Sequence, residues 1–409
     1  MVDTLSRVTT LLFAVAILLM GHGLQLTLLP VHAQFIGWSS TEIGLTGSFY
    51  FVGFVSGCIL VPGIVSRVGH VRSFMVMAAG ATVALLAAAL LVNVWAWMLF
   101  RFSTGLALAG LYMIVETWLT DVCPQDRRGS VLSIYLAISL LGMAAGQLPM
   151  MLGMPGDTRL FMLAAMIISF AIIPVGLTRI ASPSPIPAVR VTPRTLIAAS
   201  RVAVVCAFIA GMVLGAFWTV GPVVGGSLGL DQGQVGLMMS VGILGGAAAQ
   251  YPVGRLSDLA DRRFVIAGIT VVGATVSGVG AFLADTSTLV LYAVIFLLCA
   301  ATMPIYALCI ALAAEKTELS IIESTGGMLL AHGIGSIVGP IMGSPLITLI
   351  GPSTFFAFCT ACLAVGSSWT FYRLLVTDRR EQHDAHSPML PRTTQAVAVM
   401  LDSDEATLS

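Results

Sequence analysis

Four ionisable side chains stand inside long apolar runs of this 409-residue chain: His22, Arg101, Glu116 and His332. At membrane depth such groups cost a few kcal/mol or more, so each marks a pathway, a relay or a partner. An imidazole titrates near neutral pH, and a guanidinium pairs two-pronged with carboxylates. His22, Arg101 and Glu116 are therefore the candidates for coupling transport to protons. On a helix rising about 1.5 Å per residue, Arg101 and Glu116 are roughly 22 Å apart, at opposite depths of one span, and do not pair. Two readings fit Glu116: a proton carrier, or a strut to Arg127 or Arg128 at an inner gate. Two also fit His22: a titrating relay, or a neutral buried imidazole bonded to a helix neighbour. Arg101 either organises packing or meets an anionic substrate, and His332, followed by Gly333 and Gly335, is read as packing.

Neutral polar and aromatic groups complete a candidate binding site with His22: Gln25, Tyr50, Tyr112, Gln147, Trp218, Thr219, Gln250, Tyr251 and Tyr306. A pocket needs a few aimed polar groups on a mostly apolar wall, and each of these has packing as its plainer alternative. Trp38, Trp95 and Trp97 are expected to be interfacial belt residues.

The elements that must hold these groups follow from composition. The chain is 57% hydrophobic and only 9% charged, against about 25% charged in soluble domains. That deficit predicts a polytopic membrane protein. Zero net charge gives no basis for a nucleic-acid partner. The seven cysteines lie in apolar spans or in segments placed in the cytoplasm, so no disulfide is expected, and Cys359-x-x-Cys362 reads as helix packing. Twelve apolar runs of spanning length occur, near 8–30, 43–65, 73–92, 95–120, 129–153, 159–178, 201–225, 235–256, 263–284, 287–313, 324–349 and 352–375. The first is too long for a signal-peptide core and is read as a retained helix. Of 19 basic residues, seventeen fall on one side of these spans; Arg159 lies on the other and Arg101 within one. The positive-inside rule then puts both termini in the cytoplasm. Expected domains are a six-helix bundle over 1–178, a proline-rich cytoplasmic linker over 179–200, a second bundle over 201–375, and a disordered cytoplasmic tail over 376–409.

The chain also repeats itself. A shift of 192 residues pairs Thr27 with Thr219, Pro30 with Pro222, Gly44 with Gly236, Ser48 with Ser240 and Gly53 with Gly245. Shifts of 193 and 194 pair Gly142-x-x-x-Gly146 with Gly335-x-x-x-Gly339, and Tyr112 with Tyr306. Two parallel six-helix halves enclosing a central cavity follow.

Against this background the chain resembles the major facilitator superfamily across all twelve spans. The family's short-loop signature, roughly G-x-L-x-D-R-x-G-R-R, has a good second copy in Gly254-Arg255-Leu256-Ser257-Asp258-Leu259-Ala260-Asp261-Arg262-Arg263, with Asp261 in place of glycine. The first copy keeps Arg67 and Gly69, but Pro62 replaces the first glycine and Ser66 the aspartate. Arg101-x-x-x-Gly105 resembles a fourth-helix motif linked to proton-coupled members. The string from Arg101 to Trp118, followed by Arg127-Arg128-Gly129, looks like a poorly characterised bacterial branch. The fifth-helix antiporter signature is half present, with Gln147 where proline belongs, and a fuller copy runs from Gly335 through Pro340 to Gly343.

The resemblance implies an all-α membrane fold of twelve transmembrane helices in two pseudo-symmetric six-helix bundles. It also implies an inner-membrane secondary carrier, not an enzyme, working by alternating access as a monomer with lipid, a small-molecule substrate and protons as partners, and with no cofactor or metal. Its gate residues would be Arg67, Gly69, Arg72, Arg127, Arg128, Gly254, Asp258, Arg262 and Arg263. The alternatives are a facilitator or importer of a vitamin-like amphiphile of the riboflavin type, a drug or metabolite efflux antiporter, and a transporter-like sensor. No phosphate-binding Gly-x-x-x-x-Gly-Lys loop points to an ATP-driven pump.

Overall fold

The structure is a computed structural model that describes residues 2–123, 128–153, 156–178, 200–315 and 321–376. The expected linker (179–200, but for Ser200), the expected tail beyond Val376, and the gate residue Arg127 lie outside the described residues; of Arg128 only the backbone is described. The described chain forms helices and no strand.

The first half contains α1 (Val2–Phe35), α2 (Ser40–Val68), α3 (His70–Leu90), α4 (Val94–Val122), α5 (Arg128–Ala145) and α6 (Arg159–Phe170). The second contains α7 (Arg201–Ser227), α8 (Gln232–Leu259), α9 (Arg262–Leu283), α10 (Thr288–Glu315), α11 (Ile321–Leu349) and α12 (Thr354–Val376). Among the described residues, eleven helices are long and apolar enough to cross a membrane. The exception is α8, whose Gln232, Gln234, Gln250, Arg255 and Asp258 dilute its apolar length.

Two expected spans are interrupted. The fifth ends at Ala145 and continues, past Gly146 and Gln147, as a 3-10 turn over Leu148–Leu152. Pro149 inside that turn has no amide hydrogen with which to extend the α-helical ladder. The sixth breaks at Ala171 and resumes for one turn over Ile172–Gly176. Pro174 explains this: its ring crowds the carbonyl four residues back, on Phe170.

The repeat is structural. Ser39 caps α2 in a reciprocal box with Glu42, and Asp231 caps α8 in the same box with Gln234. Residues 39 and 231 obey the 192-residue shift. Each half has its own hydrophobic core, one built from residues between Leu11 and Val175 with Val223 of α7 packed into it, the other from residues between Val202 and Leu363. Within the first half α1 packs on α5 and α6, α2 on α4, and α3 on α4 and α6; the second half repeats these pairings, with α7 on α11 and α12, α8 on α10, and α9 on α10 and α12.

Glycines set the closest approaches. A Cβ on Gly142 or Gly146 would crowd the carbonyls of Ala16 and Met20 on α1, and one on Gly335 or Gly339 would overlap those of Phe208 and Met212 on α7. These are equivalent pairs under the repeat. Small residues let membrane helices meet backbone to backbone, which is what both glycine pairs do.

The halves meet crosswise, α2 on α11 and α5 on α8. Successive helices alternate in direction, so one end of the bundle holds residues 178 and 200 (the linker end) and the opposite end holds the turns after α1 and α7. Toward that far end Ser48 Oγ donates to the Ile337 carbonyl at 2.9 Å and Ser240 Oγ to the Ala144 carbonyl at 2.9 Å. The two bonds are equivalent under the repeat.

Trp97 corrects one expectation. It is 1% exposed, and its Nε1 donates to the Ala88 carbonyl at 2.9 Å. It belongs to the first half's core, whereas Trp95, one residue before Ala96 on α4, is exposed. Two residues of spacing turn a helix by about 200°, enough to put one indole inside and one outside.

Candidate functional site

The tightest polar group in the membrane-spanning region lies where α1, α2 and α4 meet. His22 and Gln25 are three residues apart on α1 and share a face. Gly105, one turn beyond Arg101 on α4, has no side chain, so α4 closes directly onto the Tyr50 carbonyl of α2. Gly53 of α2 likewise closes onto the Phe102 carbonyl. This approach sets the Arg101 guanidinium 4.7 Å from the centre of the Tyr50 ring, a cation–π arrangement. The Tyr50 hydroxyl in turn lies 3.3 Å from His22 Nε2. All four side chains are buried. Arg101 Nη1, His22 Nδ1 and both amide atoms of Gln25 have no hydrogen-bond partner among the described residues.

Gln147 sits next to this group. Just past the end of the α-helix at Ala145, its Nε2 donates to the Gly23 carbonyl at 2.9 Å, and its Oε1 has no hydrogen-bond partner among the described residues. Where proline would have lost this donor, glutamine ties α5 to α1. The Tyr50 ring continues through Phe54 to Tyr112, with the latter two ring centres 6.3 Å apart. Tyr112 points its hydroxyl at Met143 Sδ, 3.9 Å away. Across the interface Thr219 of α7 fills the space left by Gly47 of α2; its buried hydroxyl is unpartnered.

The other sequence candidates are dispersed. Glu116 is buried nearer the linker end of α4 and accepts from the Tyr135 hydroxyl at 3.2 Å. Tyr135 was missed by sequence reading because its span offers no second charge to draw attention to it. Tyr306 and His332 form an edge-to-face pair in the second half, ring centres 4.8 Å apart. Trp218 is half-buried against Phe217. Gln250 is half-buried, and Tyr251 is 74% exposed on α8, apart from the cluster.

Of the gate candidates, those of the second half are engaged. Arg262 bonds to Glu315 at 2.6 Å and to Asp258 at 3.3 Å, tying the start of α9 to the ends of α10 and α8. Asp261, the departure from the glycine signature, caps α9 by accepting from the Arg263 amide and pairs with the Arg263 guanidinium at 3.0 Å. Gly254 is buried beneath Ser257, whose hydroxyl donates to its carbonyl. In the first half Gly69 makes the turn between α2 and α3 at φ +85°, a conformation L side chains rarely adopt. Arg67 and Arg72 are exposed there without an ion pair among the described residues. Glu315 was not foreseen: it stands well away from the signature in sequence.

A recess opens between the halves at the far end. Its volume is about 660 Å³, and Gln34, Phe35, Met151, Asp231 and Gln232 are among its walls. Gln34 reaches across to the Val223 carbonyl at 3.2 Å and to Ser227 Oγ at 2.9 Å, and Gln232 to the Met150 carbonyl at 3.3 Å. Thr41 meets Thr348 at 3.0 Å. With the two serine bonds, these contacts join the halves toward the far end.

The family model described as Major Facilitator Superfamily matches residues 11–201 and 203–400. An uncharacterised MFS-type transporter of Enterobacter sp. (strain 638) is 27% identical over 391 residues, 93% of this chain and 98% of that protein. Among solved structures, a variant of the nucleoside transporter NupG matches with a TM-score of 0.73 at 16% identity, covering 90% of this chain and 99% of that one. The E. coli fucose:proton symporter FucP matches with a TM-score of 0.57 at 16% identity, covering the same shares of each chain.

Proposed function

The chain belongs to the Major Facilitator Superfamily, and on that premise we propose that it carries a small organic solute across the bacterial cytoplasmic membrane by alternating access, coupled to protons. The observation that supports this reading most directly is the pair of repeat-equivalent bonds, Ser48 to Ile337 and Ser240 to Ala144. Each half contributes the same serine and the same carbonyl position to one joined end. Two rigid bundles joined through so few polar contacts can rock apart there while closing elsewhere. The positive-inside bias makes the linker end cytoplasmic, so the joined end faces outward.

In this reading His22, Gln25, Tyr50, Tyr112, Gln147 and Thr219 bind the solute. Arg262, Asp258 and Glu315 hold the cytoplasmic ends of α8, α9 and α10 together. Glu116 takes up and releases the proton. The neighbour titled a fucose:proton symporter lends the coupling support by fold alone.

The test is solute uptake into proteoliposomes holding the purified chain, with no ATP. Uptake is expected to quicken when an inward proton gradient is imposed, and Glu116→Gln is expected to lose that response. Uptake only with ATP would end the carrier reading; uptake indifferent to the gradient would leave a facilitator.

A further inference from the structure

The polar cluster of the first half points to a carboxylate site, and we infer that the solute is an organic monoanion whose charge rests on Arg101. This inference deepens the carrier reading and rests on it. Arg101 is 3% exposed, its Nη1 is unpartnered, and no acidic side chain forms an ion pair with it among the described residues. The Tyr50 ring face offsets its charge only in part. A buried cation left uncompensated by its own protein is costly, and one paired and hydrogen-bonded is not. Gln25, 1% exposed, adds an amide with neither its donor nor its acceptor used, and His22 adds a ring nitrogen.

The repeat shows that the fold does not require these groups. His22, Gln25, Tyr50, Arg101 and Gly105 correspond to Leu214, Phe217, Gly242, Ile295 and Cys299 in the second half. There the space is filled: a Cβ on Gly242 would lie 2.8 Å from Phe217, 3.1 Å from Ile295 and 3.2 Å from Cys299. The same niche is thus a packed apolar contact in one half and a cationic, under-bonded one in the other. Packing alone gives no reason for the difference.

Access and surroundings follow from the neighbours. One turn before Tyr50, Gly47 abuts Thr219 of the second half, so the niche borders the surface on which the halves separate. Tyr50, Phe54 and Tyr112 form a run of tilted and edge-to-face rings leading away from Arg101, an apolar aromatic wall beside the charge. A carboxylate takes two parallel bonds from a guanidinium, which a neutral amide isostere does not.

The experiment is thermal unfolding of the purified full-length chain in detergent. The probes are nicotinate and benzoate, with nicotinamide and benzamide as neutral isosteres. Both carboxylates are expected to raise the Tm with concentration and both amides to leave it unchanged. Gln25→Leu is expected to weaken the carboxylate response by roughly tenfold in apparent Kd, the worth of one hydrogen bond to a charged group. Arg101→Gln is expected to abolish it. Without probe, Arg101→Gln is expected to unfold at or above the wild-type temperature, because it removes an uncompensated charge; an arginine kept for structure would lower it. Equal responses to acid and amide, no response to either carboxylate, or a wild-type response from Arg101→Gln would overturn the inference. Solute exchange in proteoliposomes separates the two levels. Carboxylate binding without any exchange sinks the carrier and leaves the site, whereas exchange of neutral solutes without carboxylate binding sinks the site and leaves the carrier.

Discussion

Arg262 and Arg101 show how differently one residue type can be used in one molecule. Both guanidinium groups are buried, yet Arg262 meets two carboxylates while Arg101 meets an aromatic face. Removing one partner of a buried ion pair strands the other charge, at a cost of about 3–5 kcal/mol. Glu315→Gln leaves Arg262 with Asp258 as its remaining carboxylate and is therefore expected to lower the unfolding temperature by less than that full cost, while Arg262→Gln added to it is expected to cost less than it does alone, because its shorter contact is already gone. A thermal double-mutant cycle measures this, and additive losses would show that the two side chains do not interact. The sequence exposed Arg101, His22 and Glu116 because charge in an apolar run is conspicuous. It gave no sign of Tyr135 or Glu315, whose importance lies in contacts between helices far apart in the chain.

For the helices, the glycines of α5 and α11 decide how closely each half is built. Gly146 and Gly339 sit against backbone carbonyls, which cannot rotate aside as a side chain can. Gly146→Ala and Gly339→Ala are each expected to cost about 1–3 kcal/mol of stability through overpacking. Gly80 of α3 faces open space, with no neighbouring atom within 4 Å of where an added methyl would lie, so Gly80→Ala is expected to leave the unfolding temperature unchanged. Thermal melts of the three variants check this, and equal behaviour at all three sites would remove the packing explanation. The spacing of these glycines was legible in the chain because a repeat preserves spacing. The breaks at Ala145 and Ala171 were not, since Pro149 and Pro174 look no different in the sequence from Pro30 and Pro222, which lie inside unbroken helices.

The whole molecule is two copies of one bundle held at one end by a small set of polar contacts. Ser48 and Ser240 each supply one neutral hydrogen bond across the interface, about 1 kcal/mol apiece. Losing both is expected to shift the balance toward a state open at the far end. Spin labels introduced as Leu152→Cys and Leu349→Cys, in a Cys58→Ser background, would report it as a longer distance population in Ser48→Ala/Ser240→Ala. An unchanged distance distribution would show that the serines do not set that balance. The sequence by itself determined the membrane class, the count of spans near twelve, the internal repeat and the family resemblance. All of these depend on composition and spacing along one dimension, which helices in lipid translate directly into structure. Only the tertiary structure decided that Arg101 lies over Tyr50 rather than against an acid, that Trp97 is core, that Tyr251 stands apart, and that Ser48 and Ser240 bond across the halves. Those outcomes depend on how helices rotate and approach one another, and rotation is set by contacts between distant residues that a linear pattern does not encode.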